Sequence, residues 1–119
     1  MADIFTDAGE DKVVDILDGT VAVPTWSIGW GTGAGTAAKA DTTLFTEAAE
    51  ARVAAALSQP ASNTNRFVAT LTSLSGQTIT NGGVFDATTG GNLLQKSDFT
   101  GIVLATNDKI EFTFDLVWS

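Results

Sequence analysis

The segment from Lys109 to Trp118 alternates between apolar and polar residues, and this alternation constrains the fold more than any other feature of the sequence. Apolar residues occupy one set of positions (Ile110, Phe112, Phe114, Leu116 and Trp118) and polar residues lie between them (Glu111, Thr113 and Asp115). A period of two residues is typical of a β-strand that buries one face. Such a face needs a second layer to cover it, which indicates a layered β-fold.

Further segments show the same alternation or are bounded by turn residues. We predict strands over residues 21–30, 66–72, 78–85, 93–98 and 101–105, and a hairpin that joins the last of these to 109–118 through Thr106-Asn107-Asp108. Asn81-Gly82-Gly83 interrupts one strand and predicts either a tight turn or a bulge. The 18 Thr, 12 Gly and 2 Pro residues favour strands and tight turns. The predicted fold class is mainly β, an antiparallel β-sandwich with one N-terminal α-helix, forming a single domain over residues 1–119.

The helix is predicted over residues 7–18. Asp7 is the expected N-cap, with Glu10 three residues later completing an acidic capping box, and Gly19 supplies a left-handed C-terminal residue. Apolar residues at helical spacing form one face: Val13, Ile16 and Leu17, with Val14 beside them. We expect this helix to cover an open end or edge of the sandwich.

Residues 43–57 are compatible with two structures. Their alanine content and the spacing of Leu44, Ala48 and Ala51 permit a helix. Residues 51–58 equally permit a strand with Val53, Ala55 and Leu57 facing inward. We favour a turn followed by a strand.

Composition excludes several classes of function. The chain has no Cys, His or Tyr, so disulfides, zinc–thiolate sites and catalysis by a histidine base are ruled out. Its formal net charge of -8 disfavours nucleic-acid binding. No apolar run is long enough to span a membrane, and the acidic N-terminus does not resemble a secretory signal. We therefore expect no enzymatic activity, no cofactor and no metal.

Three patterns that suggest chemistry have simpler explanations. The glycine-rich run 29–35 lacks the Lys-Ser or Lys-Thr pair of a phosphate-binding loop. Glu47 and Glu50 would share a helical face, but nothing beside them indicates a catalytic cleft. Asp86, Thr88 and Asn92 could bind calcium, although their spacing matches no EF-hand.

The three tryptophans, Trp26, Trp30 and Trp118, could form a carbohydrate-stacking platform. Their alternation with Ile28 and Leu116 favours positions in the core or in an interface between subunits instead.

Contacts with a partner are the remaining function that the residues suggest. Six carboxylates and one lysine lie within residues 1–18, which gives this segment a net charge of -5. They form either a solvated outer face or an acidic docking surface for a basic partner. Loops at the ends of a sandwich often carry binding sites. The candidate contact residues are therefore Asp11, Asp15 and Asp18 on the helix, Gly31, Thr32 and Gly33 in the glycine-rich run, and Asp86, Thr88 and Asn92 in the loop 86–92.

The order of several short motifs resembles small virion proteins of tailed bacteriophages. It is also similar to the N-terminal domain of phage tail-collar fibre proteins. The matching motifs are Gly29-Trp30-Gly31, then Thr43-Leu44 with Glu47 and Arg52, then Ile79 and Gly83-Val84-Phe85-Asp86. Asn81 stands where that pattern has an acidic residue, which Arg52 would otherwise pair with.

The resemblance implies a structural protein of the virion, made in the host cytoplasm. Because the sequence ends at Ser119 with no shaft or receptor-binding tip, we expect that it is not itself a fibre. Capsid decoration is the first hypothesis, with the major capsid protein as partner and a homo-oligomer as the assembled form. The alternative is a tail-fibre, collar or baseplate attachment protein with tail proteins as partners. A carbohydrate-binding module is the more distant alternative.

Overall fold

The computed structural model describes residues 2–118, which form eight strands and one helix. In chain order the elements are β1 (Ala2–Phe5), α1 (Asp7–Leu17), β2 (Ser27–Gly31), β3 (Val53–Ala54), β4 (Ala56–Ala61), β5 (Thr64–Thr72), β6 (Gln77–Phe85), β7 (Leu93–Leu104) and β8 (Lys109–Val117). Within these residues, α1 is too short to cross a membrane, and no other helix could do so.

Two antiparallel sheets form the domain. One has the strand order β1-β7-β6-β2-β3 and the other the order β4-β5-β8. Their facing side chains make the main core, where the Trp30 and Phe112 rings meet edge to face with centroids 6.3 Å apart. Trp26 and Phe67 meet in the same way at 5.9 Å. The prediction of a mainly β, sandwich-like fold with one helix is confirmed.

The alternation of the last strand is confirmed at its centre. β8 pairs with β5 over nine residues, and Phe112, Phe114 and Leu116 are buried. The pattern ends before Trp118, whose side chain is 40% exposed. Trp118 packs edge to face on Phe5 of β1 instead of entering the core, because it follows the end of β8.

The predicted hairpin between 101–105 and 109–118 is wrong. The chain does turn at Asn107, which has a φ of 72°, but β7 and β8 belong to different sheets. Residues 102–104 extend β7 by pairing with the start of β6, whereas β8 pairs with β5. The turn therefore connects the two layers rather than two neighbours in one sheet.

The helix ends at Leu17, one residue earlier than predicted, and has a different N-cap. Thr6, not Asp7, caps α1: its Oγ1 accepts a hydrogen bond from the Gly9 amide at 3.0 Å and donates one to the Leu93 carbonyl at 2.5 Å. Glu10 pairs with Lys39 instead of completing a capping box. Gly19 has the expected left-handed φ of 75°.

One helical face packs as expected, though not over its full width. Val13 and Ile16 pack against the main core, and α1 lies against β7. Leu17 is 81% exposed and Val14 is 55% exposed, so both point away from it.

Three further strand predictions need correction. The strand predicted over 21–30 begins only at Ser27. β6 runs through Asn81-Gly82-Gly83 without a turn or a bulge: these three residues pair in register with Asp98, Ser97 and Lys96, and the register shift lies before them, between Ile79 and Asn81. The segment 51–58 is extended, but Val53 and Leu57 are exposed because β3 and β4 lie at sheet edges.

Truncating the buried phenylalanines of β8 tests this core. We expect Phe112→Ala and Phe114→Ala each to lower the free energy of unfolding by about 3–5 kcal/mol, the usual effect of deleting a buried ring. Urea denaturation of the purified protein measures the change. Glu111→Gln, on the exposed face of the same strand, is the control and should change stability by less than about 0.5 kcal/mol. Equal stability of all three variants and the parent would contradict the assignment of the buried face.

Candidate interaction surfaces

The acidic contact candidates lie on the exposed side of α1. Asp11, Asp15 and Asp18 are all exposed to solvent. The other two carboxylates of the helix share one cation: Lys39 lies 3.8 Å from Asp7 and 2.5 Å from Glu10. Lys12 points to the loop 86–92 and pairs with Asp86 at 3.2 Å. The uncompensated charge of α1 is therefore concentrated in its C-terminal half, whose last turn has no basic residue.

The glycine-rich run 29–35 makes contacts within the domain. Gly31 is buried, and a Cβ built on it would lie 2.5 Å from the Phe45 carbonyl oxygen. The amides of Thr32 and Gly33 donate to the carbonyls of Thr46 and Phe45 at 3.0 and 2.9 Å. Gly31 therefore allows two segments to touch and presents no surface to a partner. Thr32 and Gly33 are half-buried, and their amides are already engaged.

A second small core covers the outer face of the five-stranded sheet. Leu44 packs there with Phe85 and Leu93, and all three are buried. Two cations flank this cluster. The Arg52 guanidinium lies 3.5 Å from the Phe85 ring centroid, and the Lys96 ammonium lies 3.3 Å from the ring centroid of Phe45. The segment 41–52, here named the covering segment, is thus held on the sheet by apolar contact and by two cation–π interactions.

Arg52 forms an ion pair, although Asn81 replaces the acidic partner that the resemblance implies. Its Nε and Nη2 atoms donate to the Glu47 carboxylate at 2.8 and 2.9 Å, and its Nη1 donates to the carbonyls of Ala87 and Gly90. Asn81, at the position of the expected acidic residue, instead bonds the backbone amide and carbonyl of Phe45. The partner of Arg52 is therefore Glu47, five residues away in sequence.

Glu50 is engaged separately from Glu47. Its carboxylate accepts hydrogen bonds from the Trp30 indole, the Leu74 amide and the Gln77 side chain at 3.2, 2.9 and 2.6 Å. Burial raises the pKa of Glu50, but these hydrogen bonds outweigh it and hold the pKa below its usual value. The two carboxylates thus do not form a dyad.

Lys96 is a buried cation that anchors the same covering segment. Its side chain is 1% exposed, and its ammonium donates to the Asp41 carboxylate at 3.0 Å and the Thr43 carbonyl at 2.8 Å. Burial raises the pKa of Asp41, but hydrogen bonds from the Ala38 amide and from Lys96 lower it below its usual value.

The loop 86–92 is closed by Asp86. Its carboxylate accepts hydrogen bonds from the amide and side chain of Asn92 at 2.7 and 3.1 Å. Burial raises the pKa of Asp86, but these hydrogen bonds and Lys12 outweigh that effect and hold the pKa below its usual value. Because the oxygens of Asp86 already have partners, they are not arranged as calcium ligands. Among residues 2–118, no group of three or more acidic side chains could hold a metal ion. Thr88 and Asn92 remain exposed, whereas the Asp86 side chain is only 7% exposed.

The tryptophans do not form a platform. Trp26 and Trp30 are buried in the main core, and only Trp118 reaches the surface. Beside it lies an apolar groove of about 260 Å³, here named the terminal groove. Its walls include side chains from α1, the connection between α1 and β2, β4 and the C-terminal end, among them Val13, Ile16, Leu17, Val23, Leu57 and Trp118. The sequence did not predict this groove, because the residues that line it lie far apart in the chain.

These features define a class of protein. Its polar clusters are occupied by internal partners, whereas an acidic helix and an apolar groove face outward, as in a structural protein that works through contacts. The chain belongs to the family described as podophage GP4 fiber I protein gp80, whose family model matches residues 5–116. It is therefore a structural protein of a bacteriophage virion, where it contacts other virion components. No curated protein matches the chain.

The close approach at Gly31 gives a testable consequence. We expect Gly31→Ala to lower the free energy of unfolding by about 1–3 kcal/mol, because the added methyl group would displace the Phe45 carbonyl. Gly76→Ala is the matched control, since its Cβ would lie 3.9 Å from the nearest atom. Chemical denaturation compares the two. A Gly31→Ala variant as stable as Gly76→Ala would contradict the packing of the covering segment.

Acid should weaken both the segment 41–52 and the loop 86–92. The pKa values of Asp41, Glu50 and Asp86 are all lower in the folded protein than in the unfolded chain. Their contribution to stability is therefore present above about pH 4, the unfolded range, and is lost as the pH falls through the folded values. We expect the melting temperature to fall between pH 5 and pH 2.5, by less in Glu50→Gln than in the parent. A parent melting temperature that does not change over this range would contradict the prediction.

Proposed function

We propose that this protein is a structural subunit of the tail-fibre apparatus, which acts through protein–protein contacts and has no catalytic activity. The observation that carries the proposal is the family match over residues 5–116, which includes α1, both sheets and the covering segment. Because the family is described as a fibre protein, we favour the tail over the capsid surface. Our first hypothesis from the sequence, capsid decoration, becomes the competing outcome of the test.

The arrangement of polar side chains supports a role without catalysis. A catalytic group needs an accessible side chain beside a pocket that can hold a substrate. Here Glu47, Glu50 and Asp86 are each bound to side chains or amides of the protein. Their hydrogen bonds hold loops on the sheet.

Self-association is the second part of the proposal. Within residues 2–118, no strand pairs with the outer edge of β4 or of β8. All six residues of β4 are exposed, and an open edge offers backbone groups to a strand from another chain. Pro60 lacks an amide donor, which leaves the nine-residue β8 as the better edge for pairing. Sedimentation velocity of the purified protein measures its oligomeric state.

The location of the protein in the particle tests the proposal. Phage lacking the protein are produced and complemented with a labelled copy, and the virions are imaged by electron microscopy. We expect label at the tail, and we expect particles without the protein to adsorb poorly to cells while their heads withstand heating like those of the parent. Label on the head, with normal adsorption and breakage at lower temperature, would establish capsid decoration and overturn the proposal.

A further inference from the structure

One side of the sandwich has an open edge in both of its layers. In the five-stranded sheet, the pairing of β1 with β7 stops at Asp98, so the rest of β7 has no neighbour on that side among the described residues. In the three-stranded sheet, β8 is the outermost strand. The cleft between these two edges, here named the edge cleft, has a volume of about 440 Å³. Its apolar walls are Phe99 and Ile102 of β7 and Ile110 and Phe112 of β8.

The backbone of β8 is most accessible along the edge cleft. Antiparallel strands bond through every second residue, and β5 bonds to the even-numbered residues of β8, in phase with the bond from the Trp118 amide to the Asn63 carbonyl at 2.8 Å. The odd-numbered residues therefore direct their amides and carbonyls to the open edge. Near the end of β8, the Gln95 side chain already donates to the Asp115 carbonyl at 2.9 Å. The accessible part of the edge is thus residues 109–113.

The two outer strands of the three-stranded sheet differ in how well they can pair with another chain. Prolines and bulges are common devices that block pairing at a sheet edge. β4 has Pro60 and a register shift between Ser58 and Ala61, whereas β8 pairs with β5 over nine residues without a shift. Beside β8, the side chains of Ile102 and Val103 on β7 are 42% and 79% exposed. The side with the edge cleft therefore combines regular backbone with exposed apolar surface.

The charges at the start of β8 indicate which partner fits. Lys109 and Glu111 are both exposed on the outer face of the strand. Lys109 is the one basic residue that forms no ion pair with a carboxylate among residues 2–118. When two β8 strands run antiparallel about a two-fold axis at Ile110, positions equally far from the axis face each other. Lys109 of each copy then lies opposite Glu111 of the other.

We infer that this side of the sandwich binds the same side of a second copy, with β8 pairing with β8 across a two-fold axis at Ile110. A cleft between two sheet edges is matched by a surface that presents two edges at the same spacing, and a two-fold axis makes such a surface complementary to itself. The two three-stranded sheets form one continuous sheet, and the two edge clefts bury their apolar walls against each other. The inference rests on the proposed self-association and adds its surface, its axis and its ion pairs.

A disulfide tests the axis, because the chain has no cysteine of its own. The backbone of Ile110 bonds to β5, so Ile110 would face its counterpart as a non-hydrogen-bonded pair with Cα atoms about 4.5 Å apart, which a disulfide can bridge. Mild oxidation of Ile110→Cys should give a covalent dimer on a non-reducing gel. Val117→Cys, at the other end of β8 and 61% exposed, is the matched control and should remain a monomer.

Exchange of charges tests the ion pairs. Lys109→Glu and Glu111→Lys should each weaken self-association by about tenfold, measured by sedimentation equilibrium, because two opposite-charge pairs become two like-charge pairs. The double variant Lys109→Glu/Glu111→Lys restores both pairs, keeps the net charge of the parent and should associate like the parent. All three variants should melt like the parent in dilute solution, since both side chains are exposed.

The results separate this inference from the proposed function. Association of the parent without a covalent dimer of Ile110→Cys would overturn the inference alone and assign self-association to another surface. A double variant that associates no better than the single variants would overturn the ion pairs and make Lys109 a residue that blocks the edge. A parent that stays monomeric up to about 1 mM would overturn both the inference and the proposed self-association, and would leave the edge to an extended segment of another virion protein. The position of the label on the virion, at the tail or the head, is independent of all three results.

Discussion

The close contact between the segment 41–52 and the backbone of the five-stranded sheet determines much of the rest of the structure. Gly29 and Gly83 pair across β2 and β6, and Gly31 is the next position on the same face. With no side chains there, Phe45, Glu47 and Arg52 approach the sheet closely enough to pack on it. The sheet is consequently covered on both faces, by the other sheet on one side and by this segment on the other. A run of glycines that suggested a phosphate loop is in fact a packing surface.

Ion pairs also connect parts of the domain that are distant in the chain. Lys96 of β7 holds Asp41, Lys12 of α1 holds Asp86, and Lys39 holds both Asp7 and Glu10. The Lys96 and Lys12 pairs are buried or half-buried, and such pairs fix position more than they add stability, because desolvation offsets much of their attraction. Nearly all the positive charge is used in this way. Among the described residues, Asp11, Asp15 and Asp18 on the outside of α1 take part in no such pair.

Periodicity predicted those elements whose burial is regular. The position of β5, the central inward residues of β8 and the approximate extent of α1 follow from spacing alone, because each such side chain meets the same core. Spacing does not reveal which strand lies beside which, so the turn at Asn107 was assigned to a hairpin although it joins two sheets. It also does not reveal which strands lie at an edge, so Leu57 was placed inside. The Glu47–Arg52 pair and the terminal groove depend on segments that meet only after folding. Their residues are visible in the sequence, but their proximity is not.

The cap of α1 has a consequence for the order in which the chain acquires its structure. Thr6 holds the start of the helix to the Leu93 carbonyl, a bond that spans 87 residues. β5 likewise pairs with β8, which begins 37 residues after β5 ends, so this pairing cannot form until β8 has been synthesised. During synthesis, therefore, neither the helix nor the three-stranded sheet can reach its final contacts until most of the domain has left the ribosome. Until then the aromatic face around Trp26 and Trp30 has no cover. A domain with such distant pairings folds slowly and as a unit. A nascent chain that stalls before β8 therefore exposes an apolar sheet face that is prone to aggregate with other chains.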